Sequence, residues 1–219
     1  IGVSVFTCGL ICIDNFSTAF LLAAIVFFML ILGGFYKYTF LTAFGVFLLL
    51  ALLVVTARAF PVVAEYLPDR LTTWTNRVEN FTDGSKFDVG ENLENLQEVS
   101  GKIAIAKGGI FGVFLGNGEA RKVMYGHETD FIYASIIEET GLVGGILIIV
   151  LFVVLLFRAG VIARRCKSTF PTIVVLGLSS MIVLQALINM FVVVGVIPVT
   201  GQPLPFVSHG GTSIIITCI

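Results

Sequence analysis

Between Thr140 and Arg158 the chain reads GLVGGILIIVLFVVLLF, without one ionisable side chain, and comparable apolar runs recur along its length. A helix of roughly 20 such residues rises about 30 Å, the thickness of a bilayer's hydrocarbon core. A soluble domain of 219 residues has no interior able to absorb so many of these runs. Only 12% of the residues are charged, against roughly 25% in soluble domains. These features identify an all-helical membrane protein. The formal net charge of −1 and the lack of a basic cluster argue against nucleic acid as a partner. Cys8, Cys12, Cys166 and Cys218 lie in or beside apolar runs without metal-site spacing, so they read as small buried hydrophobes.

The apolar stretches predict spans over residues 1–13, 16–32, 38–64, 130–157, 171–197 and 212–219, forming a single membrane domain. Asp14-Asn15 breaks the first from the second, and Gly33-Gly34 ends the second. Residues 65–129, rich in Pro, Gly, Asn and charge, read as a long extramembrane loop. Ile1 opens inside an apolar run and Ile219 closes inside another, which predicts a fragment of a larger multispanning protein. The short segment RAGVIARRCKS carries Arg158, Arg164, Arg165 and Lys167 with no acid, so it belongs on the cytoplasmic side. Lys37 in the link GGFYKY agrees, two spans away. The loop 65–129 and the link PVTGQPLPFVSHGG are then both outside, where they can share one site.

Of the 14 acids, 13 lie between Glu65 and Glu139, mostly as an ordinary solvated surface. Asp130 differs because it stands on the last polar step before the run FIYASII. A carboxylate at such an interface is partly desolvated, which raises its affinity for a proton and suits it to act as a general base. Glu138 and Glu139 lie two turns deeper, where ionisable groups are costly and count as functional by default. Along a helix Glu138 falls about 12 Å from Asp130, too far for a paired dyad.

The stretch AKGGIFGVFLGNG resembles a phosphate cradle but lacks the strand-Gly-Lys-Ser/Thr context of a nucleotide loop. Glycine-rich backbone at membrane depth is tolerated where it packs on protein or lines a cavity, which predicts a re-entrant or interfacial segment. Lys102, Lys107, Arg121 and Lys122 flank it, and Arg70 and Arg77 precede it. That basic surface suits an anionic, phosphate-bearing ligand. Pro198, Pro203 and Pro205 make the link before Gly210-Gly211 a stiff, non-helical wall able to shape a cleft. His127 and His209 offer no metal-site spacing.

Together, ETDFIYASIIEETGLVGG, KIAIAKGGIFGVFLGNG, NRVENF, IDNFSTA and QALINMFVVVGVIPVTGQPLPFVSHGGTS resemble the C-terminal part of the SEDS proteins (shape, elongation, division and sporulation). The likeness runs over nearly the whole chain and is nearer to FtsW-like than to RodA-like members. It implies a ten-helix fold in the bacterial inner membrane, of which this chain begins within the fifth helix. It also implies a glycosyltransferase that polymerises lipid II into peptidoglycan at the outer face and releases undecaprenyl pyrophosphate.

On that resemblance Asp130 matches the family's essential Asp and Arg77 the Arg of its R-x-x-x-F element, with Lys102, Lys107, Arg121, Lys122, Glu138 and Glu139 as further substrate-binding candidates. A divalent cation, Mg²⁺ or Mn²⁺, is a possible companion of the pyrophosphate. The implied partners are a class B penicillin-binding protein and other division or elongation proteins. The chain departs from the family at Glu128, where His is usual, and at His209, where the family has Tyr. Two rival readings stand beside this one: a transporter of lipid-linked sugar using Glu138 and Glu139, and a non-catalytic scaffold in which Asp130 is replaceable.

Overall fold

A computed structural model describes residues 2–14, 16–34, 45, 93–114, 116–118 and 130–208. The expected spans 38–64 (except residue 45) and 212–219, most of the loop 65–129, and Arg77, Arg121, Lys122, His127, Glu128 and His209 lie outside the described residues. Among the described residues there is no strand, and the regular structure is wholly helical. The described helices are α1 (Gly2–Asp14), α2 (Phe16–Leu32), α3 (Leu93–Gly108), α4 (Ile132–Arg165) and α5 (Thr169–Val194).

Helices α4 and α5 are long and apolar enough to cross a bilayer, and α2 contains a shorter apolar helix. Much of the α4 surface is hydrophobic and open, including Leu147, Leu151, Val153 and Phe157. Lipid is the medium in which such a surface is stable, because the helix satisfies its own backbone hydrogen bonds. The chain is a membrane protein. Helix α4 extends beyond the expected Phe157 through the basic segment, so Arg164 and Arg165 form its last turn. Cations there complement the negative end of the helix dipole.

Helices α4 and α5 pack side by side, α3 packs on both, and α2 joins α1 to α5. In hydrocarbon, close packing of small residues, more than escape from water, holds such helices together. Gly177 of α5 leaves room for Met29 of α2, whose Sδ lies 2.9 Å from where a Cβ would stand. Helix α3, inside the segment expected to be loop, buries Gly101, Ala104 and Gly108. These fall at i, i+3 and i+7, on one helical face. A Cβ on Gly101 would come 3.1 Å from the Phe131 ring, and one on Gly108 would overlap the Ile137 carbonyl.

The glycine-rich segment after α3 closes a break in α4. Gly141 has φ 74 and ψ −173 inside that helix, which interrupts its hydrogen-bond ladder. The passing segment takes up the released groups: Leu142 N–H donates to Gly109 O (3.0 Å), Val143 N–H to Ile110 O (3.4 Å) and Val113 N–H to Glu138 O (2.9 Å). Gly112, at φ 77, and Gly141 approach so closely that a Cβ on either would strike the other segment's backbone. Non-helical backbone is tolerated here because its polar groups find partners in protein.

Candidate functional site

The proline link leaves α5 through Gly195, whose φ of 82 places it in the left-handed region that favours glycine at helix ends. Val196 N–H then reaches back to Phe191 O at 2.9 Å. Beyond that point the backbone is irregular to Ser208, and its prolines contribute carbonyls without N–H donors. Side chains supply the missing donors. Ser17 Oγ donates to Thr200 O (3.2 Å), Asn189 Nδ2 to Gln202 O (2.7 Å) and Gln185 Nε2 to Pro203 O (3.2 Å). Gln202 Nε2 in turn donates to Thr18 Oγ1 at 3.0 Å. The next turn is closed by Leu204 N–H donating to Ser208 Oγ at 2.7 Å, with Leu204, Pro205 and Ser208 fully buried. Two helices therefore grip the link: α2 by its first turn and α5 by two amides one turn apart.

Asp130 meets this link. Asn189, only 1% exposed, makes a second bond from Nδ2 to Asp130 O at 2.8 Å. One amide thus ties the approach to α4 to the proline wall. Asp130 is half-buried. A Cβ built on Gly201, whose φ is +64, would stand 3.7 Å from Asp130 Oδ2. The carboxylate is therefore next to a wall position with no side chain, a notch beside Gly201. A carboxylate in such a place can accept a proton from a hydroxyl.

The other candidates divide. The Lys102 Cε and Nζ lie 2.8 and 3.4 Å from a Cβ built on Gly195, so the ammonium sits at the negative end of α5. Lys107 is in the last turn of α3 and is exposed. Glu138, 2% exposed, and Glu139 turn to the glycine-rich segment: from a Cβ on Gly118, Glu138 Oε2 would be 3.0 Å and Glu139 Oε1 3.4 Å away. The segment's own amides at Gly112 and Val113 are spent on Gly108 O and Glu138 O, which removes the phosphate-cradle resemblance at those positions.

Reasoning from sequence missed Ser17, Thr18, Gln185, Asn189 and Gln202. Gln185 and Asn189 carried a usable signal, because they are amides at i, i+4 in an otherwise apolar span and such groups bond across helices. Among the described residues no three His, Cys, Asp or Glu side chains form a metal-binding group. The described chain thus offers a divalent ion no ready cage.

The family model described as cell cycle protein, FtsW/RodA/SpoVE, matches residues 1–219. A probable peptidoglycan glycosyltransferase FtsW of Bacillus subtilis is 34% identical over 219 residues, covering 95% of this chain and 51% of the relative. Stage V sporulation protein E of the same organism is 41% identical over 153 residues, covering 69% of this chain and 39% of the relative. The FtsW of Dichelobacter nodosus is 35% identical over 211 residues, covering 94% and 49%. The chain spans about half the length of the FtsW relatives it matches. Among solved structures, one described as "Structural coordination of polymerization and crosslinking by a peptidoglycan synthase complex" matches with a TM-score of 0.68 at 23% identity, over 98% of this chain and 56% of the other. It shares the fold.

Proposed function

This chain belongs to the FtsW/RodA/SpoVE family, and on that premise we propose that it is the catalytic part of a peptidoglycan glycosyltransferase that polymerises lipid II. The observation that carries the reading is the placement of Asp130, held at the mouth of α4 with its carboxylate beside the Gly201 notch. Asp130 takes the proton from the acceptor sugar's hydroxyl. The oxygen then bonds to the donor's anomeric carbon, and undecaprenyl pyrophosphate leaves. The departing charge requires cations, and Arg77, Lys102, Lys107, Arg121 and Lys122 are the side chains we assign to it. Lys102 lies against Gly195, where the proline link leaves α5. A Mg²⁺ or Mn²⁺, if bound, would add positive charge toward the leaving pyrophosphate and would be held mainly by the substrate's own phosphates. The lipid-facing apolar surfaces of α4 and α5 suit the polyprenyl tail.

The protein acts as a multi-pass component of the bacterial inner membrane, with the Asp130 end at the outer face. The basic last turns of α4, at its opposite end, support that orientation. Its names among relatives favour division over elongation. A class B penicillin-binding protein is the partner we assign, supported by the description of the related complex.

The test is a vesicle assay of the full-length protein with this partner and labelled lipid II, measuring glycan polymer and movement of lipid II across the bilayer in the same sample. Polymer supports the proposal. Translocation without polymer replaces it with the transporter, and neither activity leaves the scaffold.

A further inference from the structure

We infer that Asn189 is a positioning residue for the reaction, fixing the Asp130 carboxylate against the proline wall; this rests on the reading of Asp130 as the base. Three observations converge on it. First, its Nδ2 is shared between Asp130 O at 2.8 Å and Gln202 O at 2.7 Å, carbonyls 72 residues apart in numbering, 202 against 130. With two carbonyls as its acceptors, that atom must be the amide nitrogen, so the orientation of the amide is settled by its partners.

Second, the bond reaches the backbone of Asp130 and the residue beside Gly201, the two positions that define the notch. If the amide were absent, each element would keep other anchors. The link would still be held by Gln185 and Ser17, and α4 by the packing of Phe131 on α3. What would be lost is the tie that Asn189 itself makes between them. Third, Asn189 Oδ1 is buried and has no hydrogen-bond partner. A buried acceptor without a donor is costly, and an apolar side chain of this size would avoid that cost. An amide here is thus a poor choice for packing alone and a suitable one for tying two backbones at fixed distance.

Positional control of this kind appears in the chemical step and hardly in substrate affinity, because a base displaced by about 1 Å loses on the order of 100-fold in rate. The experiment uses the full-length protein with its transpeptidase partner in vesicles, comparing wild type, Asn189→Ala, Asn189→Gln and Asp130→Asn. Hydrogen exchange, which needs no activity, is read on the peptides containing Asp130 and Gln202. The expected result is faster exchange in both peptides for Asn189→Ala, a kcat lowered at least tenfold, and a KM for lipid II within about twofold of wild type. Asn189→Gln, which keeps the donors, recovers a substantial part of kcat.

If Asn189→Ala does not accumulate in the membrane, Asn189→Leu keeps about the same volume without the donors and carries the same comparison. A kcat within twofold of wild type for Asn189→Ala, alongside an inactive Asp130→Asn, overturns the positioning role and leaves the base intact. Unchanged exchange in the two peptides overturns the tie itself. Full activity of Asp130→Asn removes the reading on which the positioning role rests, and the role with it.

Discussion

Replacing Gly141 by Ala probes the crossing of the glycine-rich segment over α4. At φ 74 and ψ −173 the backbone occupies a region essentially reserved for glycine, and forcing an L-residue there costs about 1–3 kcal/mol. The new Cβ would overlap Ile110 O and come 2.5 Å from Gly112 N, both backbone atoms that cannot swing aside. Relief requires the segments to part, at the expense of the bonds Leu142 N–H to Gly109 O and Val143 N–H to Ile110 O. At about 1 kcal/mol each, their loss brings the total to roughly 3–5 kcal/mol. Gly160→Ala is the control, because nothing lies within 4 Å of its Cβ position; a helical Gly→Ala change there gains up to about 1 kcal/mol. The assay is unfolding of the full-length protein in mixed detergent–SDS micelles, followed by circular dichroism. A Gly141→Ala protein within about 0.5 kcal/mol of wild type, well below the cost of such backbone strain, would refute the reasoning.

Ser208→Ala leaves the Leu204 N–H without the acceptor it has at 2.7 Å, and the same titration should show a loss of about 1–3 kcal/mol. Lys102→Met removes the ammonium from the C-terminal end of α5; thermal melting should fall by the equivalent of about 0.3–1 kcal/mol, and Lys102→Glu should cost more. At Gly177 a Cβ would press 2.6 Å from Met29 Cε, the flexible end of a side chain. Gly177→Ala is therefore tolerated, whereas Gly177→Leu drives α2 from α5 at about 1–3 kcal/mol, and Met29→Ala recovers part of that loss.

The apolar runs were legible because the bilayer imposes a length on them, and the break at Asp14-Asn15 separates α1 from α2 as its polarity requires. The proline link was legible as non-helical because proline withholds donors. Helix α3 was not, since a polar sequence hides the one face it buries; the glycine and alanine spacing at 101, 104 and 108 was its only mark. Glu138 and Glu139 were selected by depth alone; that Gly118 lies against them, near the break at Gly141, is a long-range consequence that hydropathy does not carry. Asp130 could be selected from its place at a polar boundary. What holds it there, an amide from α5 shared with Gln202, depends on two segments far apart in sequence being neighbours.

The proposed role of Asp130 is tested most directly by glycan chain formation from lipid II, comparing full-length wild type with Asp130→Asn at equal abundance and equal binding of the proposed penicillin-binding partner. Removal of the base predicts a rate lower by about 10²–10⁴-fold, so that polymer accumulates with wild type and is absent with the variant. Equal polymer from both would contradict Asp130 as the proton acceptor.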